Sequence, residues 1–176
     1  MEAKLNRTRI PVQIDIAFGD AVTPGPTVNG FPVLLDLPAP HLLIYPRETV
    51  VAEKFETLVK LGPPNSRMKD FYDLWIFAQD FAFDGAILKD AIHATFRRRK
   101  TQLPTTEPIA LTPVFADDAT KRVQWQAFLN RNDLRRKETN LARVIPVISR
   151  FVMPPALAAA KGARFTKKRE PGKNWV

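Results

Sequence analysis

Arg47-Glu48-Thr49-Val50-Val51-Ala52-Glu53-Lys54-Phe55-Glu56-Thr57-Leu58-Val59-Lys60-Leu61 runs into Gly62-Pro63-Pro64, and Asn65-Ser66 then precedes Arg67-Met68-Lys69-Asp70-Phe71-Tyr72-Asp73-Leu74-Trp75. On a wheel of about 100° per residue, Val50, Val51, Phe55, Leu58 and Val59 share one arc, and Glu53, Glu56 and Lys60 fall on the opposite, solvent side. The spacing predicts a helix over 47–61, stopped by the Gly-Pro-Pro break. A second helix over 67–80 follows, with Asn65-Ser66 as its N-cap and Met68, Phe71, Leu74, Trp75 and Ala78 as its core stripe. Two helices in a row, with a tight break between them, set the middle of the chain as a helical bundle.

Upstream the period changes. Val12, Ile14, Ile16 and Phe18 alternate with Gln13, Asp15 and Ala17, which predicts a half-buried strand within Thr8 to Asp20. A second extended stretch is expected at Phe31 to Leu37 and a third at His41 to Tyr45, joined by proline-rich turns, as in an antiparallel sheet with exposed edges. Downstream, Asp84 is the expected N-cap of a helix through Arg99, with Ile87, Leu88, Ala91, Ile92 and Phe96 facing the core. Thr101 to Pro113 reads as a connection. Further helices are expected at 119–130 and 138–152, the last kinked at Pro146 and ended by Pro154-Pro155. Strands first and helices after predict an α+β fold: a small, mostly antiparallel sheet followed by a helical bundle. The expected divisions are 1–46 (sheet), 47–100 (helical, with the Lys and Asp motifs), 101–155 (C-terminal helical part) and 156–176 (a basic, disordered tail).

The chain has 176 residues and no cysteine, which excludes disulfide frameworks, thiol catalysis and Cys-ligated metals. Its two histidines, His41 and His93, cannot make a His-rich metal site. No uninterrupted apolar run reaches the ~18 residues of a membrane span, and the N-terminus does not read as a signal peptide, so a cytoplasmic location is expected. Of the net charge of +9, residues 1–96 carry −3 and residues 97–176 carry +12. Such an asymmetry suits a polyanionic partner, or a solvated basic tail that aids solubility.

Five positions carry candidate chemistry. Asp15 is expected on the polar face of the first strand, with Ile14 and Ile16 turned inward. A carboxylate there could hold Mg²⁺, or simply face solvent. Lys54 falls inside the apolar arc of its helix, so it must snorkel, pair with a buried acid, or face a cleft that holds an anion. Asp70 and Asp73 are one turn apart on a shared flank. Arg67, a cation at a helix start, opposes the helix dipole and needs an ion pair or a ligand. An i, i+4 pair between Lys69 and Asp73 is the ordinary alternative for this cluster.

Three ordered blocks carry a resemblance: Ile14-Asp15-Ile16-Ala17-Phe18-Gly19-Asp20, Tyr45-Pro46-Arg47-Glu48-Thr49-Val50-Val51-Ala52-Glu53-Lys54, and Asn65-Ser66-Arg67-Met68-Lys69-Asp70-Phe71-Tyr72-Asp73. Together they resemble the rear portion of the AbiEii/AbiGii toxin family of nucleotidyltransferases, found in type IV toxin–antitoxin and abortive-infection systems. The likeness continues through Thr95-Phe96-Arg97-Arg98-Arg99 and the Trp125 helix. It implies a polymerase-β-like core, Mg²⁺ and a nucleoside triphosphate (NTP) as cofactors, a cognate antitoxin, and an RNA (tRNA) or protein acceptor. By motif position Asp15 would be a metal ligand, Lys54 and Arg67 would bind the nucleotide, and Asp70 and Asp73 would complete the catalytic set. The family's Gly-Ser turn and Asp-x-Asp strand have no counterpart in this sequence. The resemblance therefore implies a truncated nucleotidyltransferase, inactive as an isolated chain; without its first strands the sheet has an exposed edge, and the chain is expected to be marginally stable or to self-associate through it. A non-catalytic module that binds RNA or protein is the alternative.

Overall fold

In the computed structural model, which describes residues 2–5, 8–11, 13, 14, 16, 19–134 and 140–176, the first expected helix is α1 (Arg47–Leu61). Gly62 ends it at φ 54°, donating its N–H to the Leu58 carbonyl, a left-handed backbone that a Cβ would strain. α2 (Met68–Asp80) follows, but neither Asn65 nor Ser66 caps it through a side chain. The Asn65 Oδ1 is spent one residue early, accepting the Arg67 N–H at 2.8 Å. α3 (Gly85–Arg98) starts as expected: Asp84 Oδ1 accepts the N–H groups of Ala86 at 2.9 Å and Ile87 at 3.3 Å. Leu88, Ala91, Ile92 and Phe96 enter the core, whereas Ile87 is 40% exposed. It lies about 100° round the helix from Leu88, beyond the stripe that the other four define.

The chain is α+β, as expected, but its strands do not share one sheet. β1 (Glu2–Leu5) pairs antiparallel with β2 (Thr8–Pro11), and β3 (Thr27–Gly30) pairs with β4 (His41–Ile44). β5 (Phe83–Asp84) pairs with β6 (Lys168–Arg169), giving three separate two-stranded ribbons. Of the strand expected through Asp20, Thr8–Pro11 is strand and Gln13, Ile14 and Ile16 are not, while Val12, Asp15, Ala17 and Phe18 lie outside the described residues. Ile14 and Ile16 are exposed rather than turned inward. The strand expected at Phe31 to Leu37 is absent too. There the ribbon closes through the Phe31 N–H to the Pro40 carbonyl, and Leu34 and Leu35 stand in solvent. Apolar alternation calls for a layer to pack against, and the helices lend none to these two stretches.

After a 3-10 turn at Ile109–Leu111 come α4 (Pro113–Asp117), α5 (Ala119–Arg131) and α6 (Leu141–Ala160). α1 packs chiefly on α3, while α6 packs on α2, α3 and α4. Phe55, Phe71, Phe96 and Phe151 are fully buried at these seams, each contributing about 1.5–3 kcal/mol by the area it removes from water. α6 is long and apolar enough to cross a bilayer by length and composition, although Arg143 and Arg150 interrupt its apolar run. More than half of that window is buried in the protein, which makes α6 the core helix against which the bundle assembles.

α6 does not end at Pro154-Pro155; both prolines lie inside it. A proline removes the donor to the carbonyl four residues back, so Pro155 deprives Phe151 of its helical partner. The Trp175 indole supplies a replacement: Nε1–H donates to the Phe151 carbonyl at 2.9 Å. This contact belongs to a tail that the composition predicted to be disordered and that instead folds back. Arg169 is buried, donates to the Ala78 carbonyl and sits 4.9 Å above the Phe151 ring. Gly85 donates to the Lys167 carbonyl, and a Cβ on Gly85 would lie 2.5 Å from that oxygen, so only glycine fits where the tail crosses.

Candidate active site

α1 and α2 run side by side, and the residue that sat oddly in the α1 apolar arc is what joins them. Lys54 Nζ lies 2.7 Å from Asp70 Oδ1 and 2.7 Å from Asp73 Oδ2. Of the three fates open to a lysine in that arc, pairing with a buried acid is the one realised. The Asp70 side chain is only 4% exposed, and its second oxygen accepts from Arg67 Nε at 2.7 Å. So Arg67 answers its unfavourable place at the helix start with an ion pair, while the rest of its side chain stays in solvent. Lys69 Nζ reaches Asp73 Oδ2 at 2.6 Å, the i, i+4 pair that the spacing allowed. All four of Lys54, Arg67, Asp70 and Asp73 come together.

Burial, the largest influence on each, disfavours the charged forms of Lys54 and Asp70, yet their mutual hydrogen bonds outweigh it. The Lys54 ammonium is held above its ordinary value by Asp70 and Asp73. The Asp70 carboxyl is held below its ordinary value by Lys54 and Arg67. Both groups are charged across the physiological range.

Lys54, Arg67 and Asp70 line an open cleft of about 390 Å³, with Val50, Glu53, Thr57 and Arg99. Arg99, just past α3, was not singled out from the sequence, and neither was its main partner. Its Nη1 lies 3.0 Å from Glu56 Oε2, and its Nη2 lies 3.4 Å from Glu53 Oε1. Glu56, expected on the solvent side of α1, is 1% exposed, and its other oxygen accepts from the Thr101 hydroxyl. At about 140° on the wheel it borders the apolar arc, and the C-terminal end of α3 covers that border. Tyr45 donates to Glu53 Oε1 at 2.7 Å. Burial, then that carboxylate, push the Tyr45 hydroxyl above its ordinary pKa.

Asp15, the expected metal ligand, lies outside the described residues. Among the described residues no group of three or more His, Asp or Glu side chains is placed to hold a metal ion. The site's two aspartates are engaged with cations instead: both Asp70 oxygens and Asp73 Oδ2 are taken by two ammonium groups and a guanidinium.

Residues 1–146 match the family model described as nucleotidyl transferase AbiEii toxin, type IV TA system. The chain belongs to the AbiEii family. No curated protein and no solved structure matches it. The AbiEii match spans every helix that builds the cleft and stops within α6, so residues 147–160 of α6 and the tail lie beyond it. Membership makes the chain a type IV toxin–antitoxin nucleotidyltransferase by family, which implies a cognate antitoxin and the use of an NTP with a divalent metal.

Proposed function

We propose that the Lys54 cleft binds the triphosphate of an NTP, whose nucleotidyl group is transferred to a hydroxyl of an RNA or protein acceptor. In that reaction the acceptor oxygen forms a bond to the α-phosphorus, its hydroxyl proton passes to solvent, the bond from that phosphorus to the bridging oxygen breaks, and pyrophosphate leaves. One observation carries the assignment: a cation on the wall of an open cleft, fixed by two carboxylates of the next helix. An ammonium has three N–H donors. Asp70 and Asp73 occupy two, which leaves one for a phosphate oxygen. The same aspartates keep the group charged and stationary, so it needs little reorganisation as negative charge grows on the departing pyrophosphate. Arg67, whose side chain is largely exposed, is the second phosphate contact. Asp70 and Asp73 act as positioning residues in this reading. The Asp-x-Asp strand that the family resemblance calls for has no counterpart in residues 1–176, so this chain alone is expected to bind NTP and transfer little.

Calorimetry with NTP tests this on wild type, Lys54→Ala and Arg67→Ala. Binding that weakens at least about ten-fold in each variant supports the reading; ten-fold equals about 1.4 kcal/mol. Arg67→Ala guards against a folding artefact, because that side chain is 63% exposed. Equal heats for all three proteins would reduce the cluster to a structural ion pair between α1 and α2.

A further inference from the structure

The strap formed by residues 161–176 lies beyond the family match, and none of its residues lines the Lys54 cleft. Of its six basic residues only Arg169 is buried; Lys161, Arg164, Lys167, Lys168 and Lys173 are exposed. Among the described residues, none of these five makes an ion pair. Glu170 is the only acid in the strap.

A disordered basic tail relaxes its own repulsion by spreading. This one cannot. Trp175 is pinned to the Phe151 carbonyl, Lys168 exchanges backbone hydrogen bonds with Val176, and Gly172 donates to the Ala78 carbonyl. Holding five like charges on a fixed scaffold costs electrostatic energy unless a polyanion compensates it. A lipid surface is the poorer partner. The aromatic residues of the strap, Phe165 and Trp175, pack together with ring centroids 5.2 Å apart and against the core, so they are not presented for insertion. A nucleic-acid backbone needs only the charges.

We propose that the C-terminal strap is a binding face for a nucleic-acid backbone, separate from the nucleotide cleft. This goes beyond the nucleotidyltransferase reading and does not depend on it, since the interaction requires neither NTP nor transfer.

The test is fluorescence anisotropy of a labelled RNA duplex against the full chain without nucleotide, across a salt series beginning near about 50 mM. The comparison protein carries Lys161→Gln, Arg164→Gln, Lys167→Gln and Lys173→Gln together. These positions leave β6, Arg169 and Trp175 untouched, and an unchanged melting temperature confirms that the strap stays folded. The expected result is wild-type binding that weakens with salt, a loss of about ten-fold or more in the variant, and a log–log salt slope shallower by about three. Four outcomes overturn the proposal: no RNA binding by wild type at low salt, an unchanged slope in the variant, a variant that no longer folds while a Lys161→Gln, Lys173→Gln double variant folds and binds as wild type, or binding to phosphatidylglycerol vesicles without binding to RNA.

Discussion

Replacing Trp175 by Phe isolates a single hydrogen bond on which the end of the core helix depends. The substitution keeps an aromatic ring against Phe151, now stacked at 6.3 Å between centroids and 14° between planes, and removes the Nε1–H that reaches the Phe151 carbonyl at 2.9 Å. Phe151 is 0% exposed, so the carbonyl loses its donor where water does not readily replace it. The cost of such an orphaned group is about 1–3 kcal/mol. At about 2–4 °C per kcal/mol for a domain of this size, the melting temperature should fall on the order of 5 °C. The claim is sharper than one destabilised variant, because Pro155 is the cause of the need. Pro155→Ala restores an N–H four residues after Phe151, and in that background Trp175→Phe should cost about 1 kcal/mol less than in the wild type. Urea unfolding of the four proteins, followed by far-UV circular dichroism so that the lost indole does not alter the signal, measures the cycle. A coupling near zero would refute the reasoning: Trp175 would then contribute packing alone, and the proline-deprived carbonyl would be irrelevant to why the tail folds back.

Acid and base should both loosen the α1–α2 seam, for opposite reasons. Asp70 has its pKa lowered in the folded state, so its contribution is present above the unfolded value near ~3.9 and is lost as pH falls through the folded one. Lys54 has its pKa raised, so its contribution is present below ~10.4 and is lost as pH rises through the folded value. Urea midpoints measured from about pH 2 to 5 should fall less steeply for Asp70→Asn than for wild type, and equal slopes would contradict the pairing. Glu56→Ala should destabilise by about 1.5–3 kcal/mol, because it strips Arg99 of its closest carboxylate and unpairs the Thr101 hydroxyl. Lys69→Ala, on a 71% exposed side chain, should change stability by less than about 0.5 kcal/mol. Cutting the chain after Ala160 removes Trp175 and Arg169 together and should cost at least about 4 kcal/mol, broadening or abolishing the cooperative thermal transition. An unchanged transition would mean that the tail is a passenger.

The helical middle was legible because its signals are local. Gly62-Pro63-Pro64 stops α1 whatever lies elsewhere, and Asp84 caps α3 with an oxygen two residues from its target. Lys54 was legible for a related reason: a charge inside an apolar arc is anomalous on the helix itself, before any partner is known. Apart from the missed cap of α2, the failures are tertiary. Glu56 sits at the edge of the α1 wheel, and only the arrival of Arg99 and Thr101 from the far end of α3 makes that edge an interior. The tail reads as disordered by its Lys, Gly and Pro content, yet Phe165, Arg169 and Trp175 are enough to dock it. Trp175 docks on a carbonyl that a proline left unpaired, a vacancy no composition reveals. In the opposite direction, the alternation around Ile14 and Ile16 promised a buried strand, but alternation fixes a strand only where a second layer exists to cover one face.

α1 is held on two flanks by charges of opposite sign. On one, its cation Lys54 reaches the acids of α2; on the other, its acids Glu53 and Glu56 reach Arg99 beyond α3. Cleft residues from both networks face the same 390 Å³ space. Neither network is worth much as net stability, since desolvating a charge offsets most of what its partner returns. What each does supply is register: an ammonium shared by two carboxylates at 2.7 Å has one position, and a turn of α1 about its axis would break both networks together. The identity of the residues therefore matters less to whether α1 forms, which its apolar arc decides, than to where on α1 a phosphate would find a charge. A variant that replaces Lys54, Asp70 and Asp73 with apolar residues of similar size is expected to keep the fold and, on the proposed reading, to bind NTP more weakly. Fold and site are thus separable in this chain: the phenylalanines determine the first, and the opposed charges on α1 determine the second.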